Sequence, residues 1–277
     1  MRSLALSLAV MLATTVASAQ SKVAKYVRFE AGGRAQYGLL DGESIRPLRA
    51  APWIDATPSG PAVPAKSVRL LAPTEPSKVI AVGLNYQSHL GTAPAAAYPG
   101  LFAKLPTSII ATNADIVLPP DAHNTHYEGE MVIVIGKRAS HVSVESAKEH
   151  VFGVTVGNDV SERDWQKNDL QWFRAKASDT FGPLGPAIAT GLNYDDLLLQ
   201  TRLNGEVVQS QRTSALIFNV SKIVSYVSQY VTLLPGDVIY TGTPGTTRPM
   251  KAGDVVEVEL ESVGVLHNRV TQPEVRE

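Results

Sequence analysis

Five consecutive apolar residues, Met131-Val132-Ile133-Val134-Ile135, follow directly on Glu128-Gly129-Glu130. β-Branched side chains dominate the run, and an unbroken apolar stretch of this kind predicts a buried strand. If that strand begins near Glu128, then Glu128 and Glu130 point to one face, because side chains alternate along a strand. Two carboxylates side by side repel one another, and burying them unpaired costs too much to tolerate. Two arrangements are compatible with the pair alone. It lies on a solvated face, or a hard divalent cation, which prefers oxygen ligands, holds it together. Because His126 shares the face and His123 is near, a zinc site is a third possibility.

A further carboxylate, Asp159, stands in Gly157-Asn158-Asp159-Val160, after a strand predicted over 151–156. Glu128, Glu130 and Asp159 together would leave an octahedral Mg²⁺ or Mn²⁺ with open positions. A 2-oxo acid could fill two of these as a bidentate ligand, with the metal acting as a Lewis acid on its keto or enolate oxygen.

The rest of the chain has the punctuation of a β-rich protein. Short strands are expected over 25–48, separated by Gly32-Gly33 and Asp41-Gly42. Residues 51–76, rich in Ala, Pro and Ser, read as a linker or wrapping segment. The division expected is 20–76 as a small N-terminal β subdomain with its linker and 77–277 as one compact domain. Buried strands are expected over 79–82 and 108–111. Helices are expected over 143–150 with Ser143 as cap, over 161–169, and over 220–231, where Val220, Ile223, Val224, Val227 and Tyr230 fall at helical spacing.

Net charge is −1 with no basic stripe, which argues against a nucleic-acid partner, and the absence of cysteine excludes disulfides and thiolate chemistry. Arg2, an apolar stretch over 4–16 and Ala17-Ser18-Ala19 match an export signal. Residues 1–19 are therefore expected to be removed after Ala19, giving an exported, periplasmic or secreted protein with no membrane span.

Several blocks in order resemble the fumarylacetoacetate hydrolase family over roughly 78–270. They are Val82-Gly83-Leu84-Asn85-Tyr86 with His89, Tyr127-Glu128-Gly129-Glu130, and Gly157-Asn158-Asp159-Val160-Ser161 with Arg163, Asp164 and Gln166. Lys176 follows, before Asp179-Thr180-Phe181-Gly182-Pro183-Leu184-Gly185-Pro186, then Asn204-Gly205 and Thr241-Gly242-Thr243-Pro244. The resemblance implies an α+β, β-rich fold, a mixed β-sandwich or β-roll, usually homodimeric and holding Mg²⁺ or Mn²⁺. Members act on small 2-oxo or 2,4-dioxo acids. The resemblance puts Glu128, Glu130 and Asp159 on the metal ligands and Lys176 on the lysine facing the bound substrate. It puts Arg163, Gln166 and Thr243 in the substrate pocket.

At one point the pattern breaks. Hydrolytic and decarboxylating members follow the histidine with a glutamate three positions later, and the two activate water. Thr92 stands there in this chain, so His89 lacks an orienting carboxylate. The segment after it, 92–100, acts in the family as a lid and here carries no charge. The leading expectation is a hydrolase cleaving a C–C bond of an acylpyruvate-type acid. Its alternatives are a tautomerase, isomerase or decarboxylase on the same site, or a non-catalytic exported protein that binds metal and oxo acid.

Overall fold

The computed structural model describes residues 22–273. The expected signal segment, 1–19, lies outside them. Among the described residues no helix is long and apolar enough to cross a membrane. The fold is strand-rich and α+β, as the sequence implies. A mixed sheet of twelve strands and a second sheet of five pack together.

Residues 131–135 are the centre of this arrangement. The strand Gly129–Ile135 is buried along its whole length. It pairs antiparallel with Val151–Asn158 on one side and with Val238–Tyr240 on the other. Both of its faces are covered. Met131, Ile133 and Ile135 join a core with Leu199, Val256, Val258 and Leu266 of the second sheet and with Val220, Ile223, Val224 and Val227 of the helix Val220–Tyr230. Val132 and Val134 join a separate core with Val79, Ala81, Leu184, Ile188, Val238 and Tyr240. Double coverage explains the lack of polar alternation, since neither face meets water. Beyond Val238–Tyr240 the sheet continues through Val79–Gly83, in parallel, and ends at Gly100–Lys104.

The N-terminal strands Ala24–Ala31, Arg34–Asp41 and Ser44–Pro47 form the expected hairpins and extend the same large sheet, because Ala24–Ala31 pairs with Gly182–Thr190. Within 51–76 the chain is less irregular than its prolines suggest. Val63–Pro64 and Arg69–Leu71 add short strands to this N-terminal group.

Three local expectations need correction. Residues 143–150 form only a 3₁₀ turn, Ala147–His150, whose cap residue is Ser146 rather than Ser143. The strand expected over 108–111 shrinks to Ile109–Ile110 and is only partly buried. Tyr230 falls outside the apolar face of its helix, 70% exposed, and meets the ring of Tyr226 edge-on.

Gly129 shows how tightly the two sheets meet behind the carboxylates. A Cβ there would lie 2.0 Å from Thr201 Oγ1 and 3.0 Å from Val258 Cγ1. The residue between Glu128 and Glu130 therefore has to be glycine. Gly129→Ala should destabilise the fold by about 2–3 kcal/mol through overpacking. Urea unfolding reads this directly, and an unchanged midpoint would show that the sheets can part at no cost.

Candidate metal centre and oxo-acid pocket

Strand register assembles the carboxylates. Gly129 pairs with Asn158 and Glu130 with Gly157, so Glu128 and Asp159 sit side by side just past the paired ends of the two strands. Asp159 N–H donates to the Glu128 carbonyl at 2.8 Å, and the Asn158 side-chain oxygen accepts from Glu128 N–H at 2.8 Å. One oxygen from each of Glu128, Glu130 and Asp159 lies within 4.8 Å of the others, and all three residues are buried. The solvated-face arrangement is thereby ruled out.

The helix Phe173–Ala177 places Lys176 against the pair. Its ammonium donates to Glu128 Oε2 at 2.6 Å and to Asp159 Oδ2 at 2.7 Å. The helix Arg163–Asn168, capped by the Glu162 carboxylate, places Arg163 beside it. Arg163 donates to Glu128 Oε1 at 2.5 Å, to Gln166 Oε1 at 2.8 Å and to Thr247 Oγ1 at 2.9 Å. Arg163 therefore pairs with neither Asp164 nor Asp169, the other partners its sequence position allows. Asp169 is taken by Arg174.

Glu130 is placed differently. Its Oε2 accepts from Gly242 N–H at 2.7 Å. Gly242 holds a φ of +105°, and a Cβ there would lie 2.7 Å from Asn85 Cβ, so glycine is required at this donor. Burial pushes the Glu130 carboxyl well above the usual range, and the charges of Asp159 and Glu128 push the same way. Glu128 goes in the opposite direction. Burial raises it, but Lys176 and Arg163 outweigh burial and hold it below the usual range. Burial disfavours the Lys176 ammonium, yet Asp159 and Glu128 more than compensate and keep it charged.

These three carboxylates fit a divalent metal. They are hard oxygen donors, close together and buried, and Glu130 is a carboxylate with little to neutralise it. With a metal holding all three carboxylates ionised, Lys176, Arg163 and the buried Lys104 would balance them. A divalent ion would leave the site with a net charge of about +2, suited to a dianion. The zinc alternative fails on geometry. His126 is turned to Thr247 Oγ1, at 2.8 Å, and to Asn124 Oδ1, at 2.9 Å, and His123 is exposed. Burial, then Arg163, lowers the His126 pKa to about 4, so this ring is neutral at physiological pH.

His89 lies on the short helix Gln87–Leu90 at the rim of the same pocket. Its Nδ1 is 2.5 Å from the Gly245 carbonyl, and its Nε2 is 3.8 Å from Glu128 Oε1. A carbonyl only accepts, so in the neutral ring Nδ1 carries the proton and Nε2 keeps its lone pair toward the pocket. The main chain thus orients His89 where a carboxylate is lacking. Thr92 is exposed. Thr243 also lines the pocket, but its hydroxyl is already engaged. It donates to the Gly129 carbonyl at 2.9 Å and accepts from Gln209 at 2.8 Å.

The expected residues Glu128, Glu130, Asp159, His89, Arg163, Gln166, Lys176 and Thr243 all line this one pocket. Sequence reasoning missed Phe102, Trp172, Gln209 and Lys104. Phe102 and Trp172 meet edge-on at 5.4 Å and wall the pocket, with the Lys176 ammonium 5.0 Å from the Phe102 ring. Period-two alternation on Gly100–Lys104 puts Phe102 and Lys104 on one side, a signal readable only once that strand is placed beside the site.

Comparison with known proteins identifies the family. The family model described as fumarylacetoacetate (FAA) hydrolase C-terminal matches residues 78–271, and a second, Rv2993c-like N-terminal, matches 24–73. The chain is 43% identical over 225 residues to the human mitochondrial oxaloacetate tautomerase FAHD2A, covering 76% of this chain and 72% of that one. Its structure is similar to that of a 5-carboxymethyl-2-hydroxymuconate delta-isomerase from Mycobacterium smegmatis, with 42% identity, a TM-score of 0.85, and coverage of 90% of this chain and 100% of that one. A maleylpyruvate hydrolase from Sphingobium, solved with manganese(II) and pyruvate, matches with 28% identity, a TM-score of 0.76 and the same coverages. These relatives overturn the expectation of export, since the bovine and human tautomerases are mitochondrial enzymes. One arginine, a short apolar run and small residues form a compositional pattern of low specificity, and it lies outside the described residues. With the matched family model spanning most of the chain and the buried acidic triad at its centre, the protein belongs to the fumarylacetoacetate hydrolase family.

Proposed function

We propose that the protein is a divalent-metal-dependent tautomerase or isomerase of small 2-oxo acids, with Mg²⁺ or Mn²⁺ held by Glu128, Glu130 and Asp159. The observation that carries this reading is the setting of His89, whose Nδ1 is held by a neutral carbonyl, Gly245, and not by a carboxylate. Such a histidine can accept a proton at Nε2 and return it. No carboxylate holds Nδ1 from behind to form the His–carboxylate dyad that activates water, and the nearest one, Glu128, lies on the Nε2 side at 3.8 Å among the candidate metal ligands. This reading moves away from the C–C hydrolase that leads on sequence grounds, and the names of the tautomerase and isomerase relatives support the move.

The bound ion would supply Lewis-acid polarisation of the keto oxygen. Lys176, a fixed buried ammonium, stabilises negative charge that develops on that oxygen. His89 Nε2 takes the proton from the carbon beside the keto group and delivers it to the enolate oxygen, or in an isomerisation to another carbon of the conjugated system, so no atom is gained or lost. Arg163, oriented by Gln166 and Thr247, holds Glu128 in place at the pocket wall. The homodimer and the 20–76 subdomain expected from the sequence stay within this proposal.

The test follows enol absorbance and product mass together, with Mn²⁺, on oxaloacetate and a panel of acylpyruvates. The expected product has unchanged mass, and His89→Ala should slow its formation by about a hundredfold, the usual worth of a positioned acid–base group. Fragments of lower mass from an acylpyruvate would instead establish the hydrolase.

A further inference from the structure

Lys104 is a fully buried cation that the proposed reaction does not use. It ends the strand Gly100–Lys104, with its side chain inaccessible to solvent. Its ammonium donates to Asp159 Oδ1 at 2.7 Å and also to the backbone carbonyl of Lys176. A buried lysine is costly to keep, and an apolar residue of similar length would fill the same space. What lysine adds at this position is a fixed hold on one oxygen of one carboxylate.

We propose that Lys104 is a positioning residue that sets how Asp159 meets the metal. Lys104 holds Oδ1 from the buried side, so the oxygen Asp159 offers a cation is Oδ2, which it shares with the Lys176 ammonium on the pocket side. Glu130 is restrained in a similar way, with Oε2 tied to Gly242 N–H. Ligation of an octahedral ion by single oxygens leaves positions for a chelating oxo acid, whereas a carboxylate that uses both oxygens consumes one. By also binding the Lys176 carbonyl, Lys104 ties the third carboxylate to the helix that carries Lys176. The inference rests on the metal reading of the Glu128, Glu130 and Asp159 cluster.

The experiment is Mn²⁺ binding by calorimetry, together with the water-proton relaxation enhancement of the bound ion, on the full chain and on Lys104→Met. Freed of Lys104, Asp159 can use both oxygens, so the enhancement should fall by roughly one exchanging water. Losing a positive charge next to a ligand should also tighten Mn²⁺ binding, by about tenfold. An unchanged enhancement, or weaker binding, overturns the proposal, because a lysine that merely supports the fold would weaken the site when lost. If Lys104→Met does not fold, Lys104→Arg decides. It keeps the charge and the donor, so both quantities should stay within about twofold of the unsubstituted protein, and a loss of enhancement there overturns the role. Failure of the unsubstituted chain to bind Mn²⁺ sinks the metal reading itself and is distinguishable from a failure confined to Lys104→Met.

Discussion

Lys176→Met should lower kcat/KM by about a thousandfold, the upper range for removing one preorganised donor at a developing oxyanion. The protein should still bind Mn²⁺, and more tightly than before. The two effects separate because Lys176 bonds Glu128 Oε2 and Asp159 Oδ2, oxygens that a cation would share. Methionine keeps the volume and removes the charge. The ion then loses a like-charged neighbour while the substrate oxygen loses its ammonium. Turnover followed by enol absorbance, alongside a Mn²⁺ titration, distinguishes the outcomes. Activity within tenfold of the unsubstituted enzyme would remove Lys176 from the chemistry. Joint loss of turnover and metal binding would make it a structural support for the carboxylates.

Glu130→Gln should stabilise the metal-free protein at neutral pH by about 2 kcal/mol, because a carboxyl kept protonated in the folded state but ionised in the unfolded one costs stability there and Gln does not. It should also abolish the rise in Tm on adding Mn²⁺. The sign follows from the Glu130 carboxyl, raised well above its ordinary range by burial and then by Asp159 and Glu128. A group raised in the folded state contributes stability that is full below its unfolded pKa and lost as pH rises through the folded one. The metal-free protein should therefore weaken as pH climbs from the acid range through Glu130's elevated pKa, and Glu130→Gln should flatten that part of the profile. Metal uptake has the opposite pH dependence, since the ion must displace the proton on Glu130 and binds better as pH rises. Thermal melts across pH, with and without Mn²⁺, measure both. A Gln variant less stable than the unsubstituted apo protein would show that Glu130 is charged and satisfied without metal. In that case a stability cost accepted for function, as at many active sites, would not apply here.

Much of this protein was legible in its sequence, for reasons that are local. An apolar run rich in β-branched residues favours a buried strand, and residues 131–135 became the centre of the large sheet. Period-two alternation put Glu128 and Glu130 on one side of the chain, and the Val220–Tyr230 helix appeared where its apolar spacing placed it. Tyr230 was misjudged because spacing gives a direction around a helix but not the width of the surface that covers it.

The tertiary structure decided what depends on partners distant in sequence. Pairing of Gly129 with Asn158 brought Asp159 to the glutamates, and the strand ending at Lys104 delivered a buried cation that composition does not distinguish from a surface lysine. The orientation of His89 was unreadable for the same reason. Its partner is a backbone carbonyl at Gly245, and every residue has one, so nothing in the side-chain sequence marks which carbonyl a fold will bring to a histidine. The sequence alone determined which groups were present, by residue type and period. Whether each stood charged, paired or turned toward the pocket was set by burial and long-range contact, because those quantities do not exist until the chain has folded.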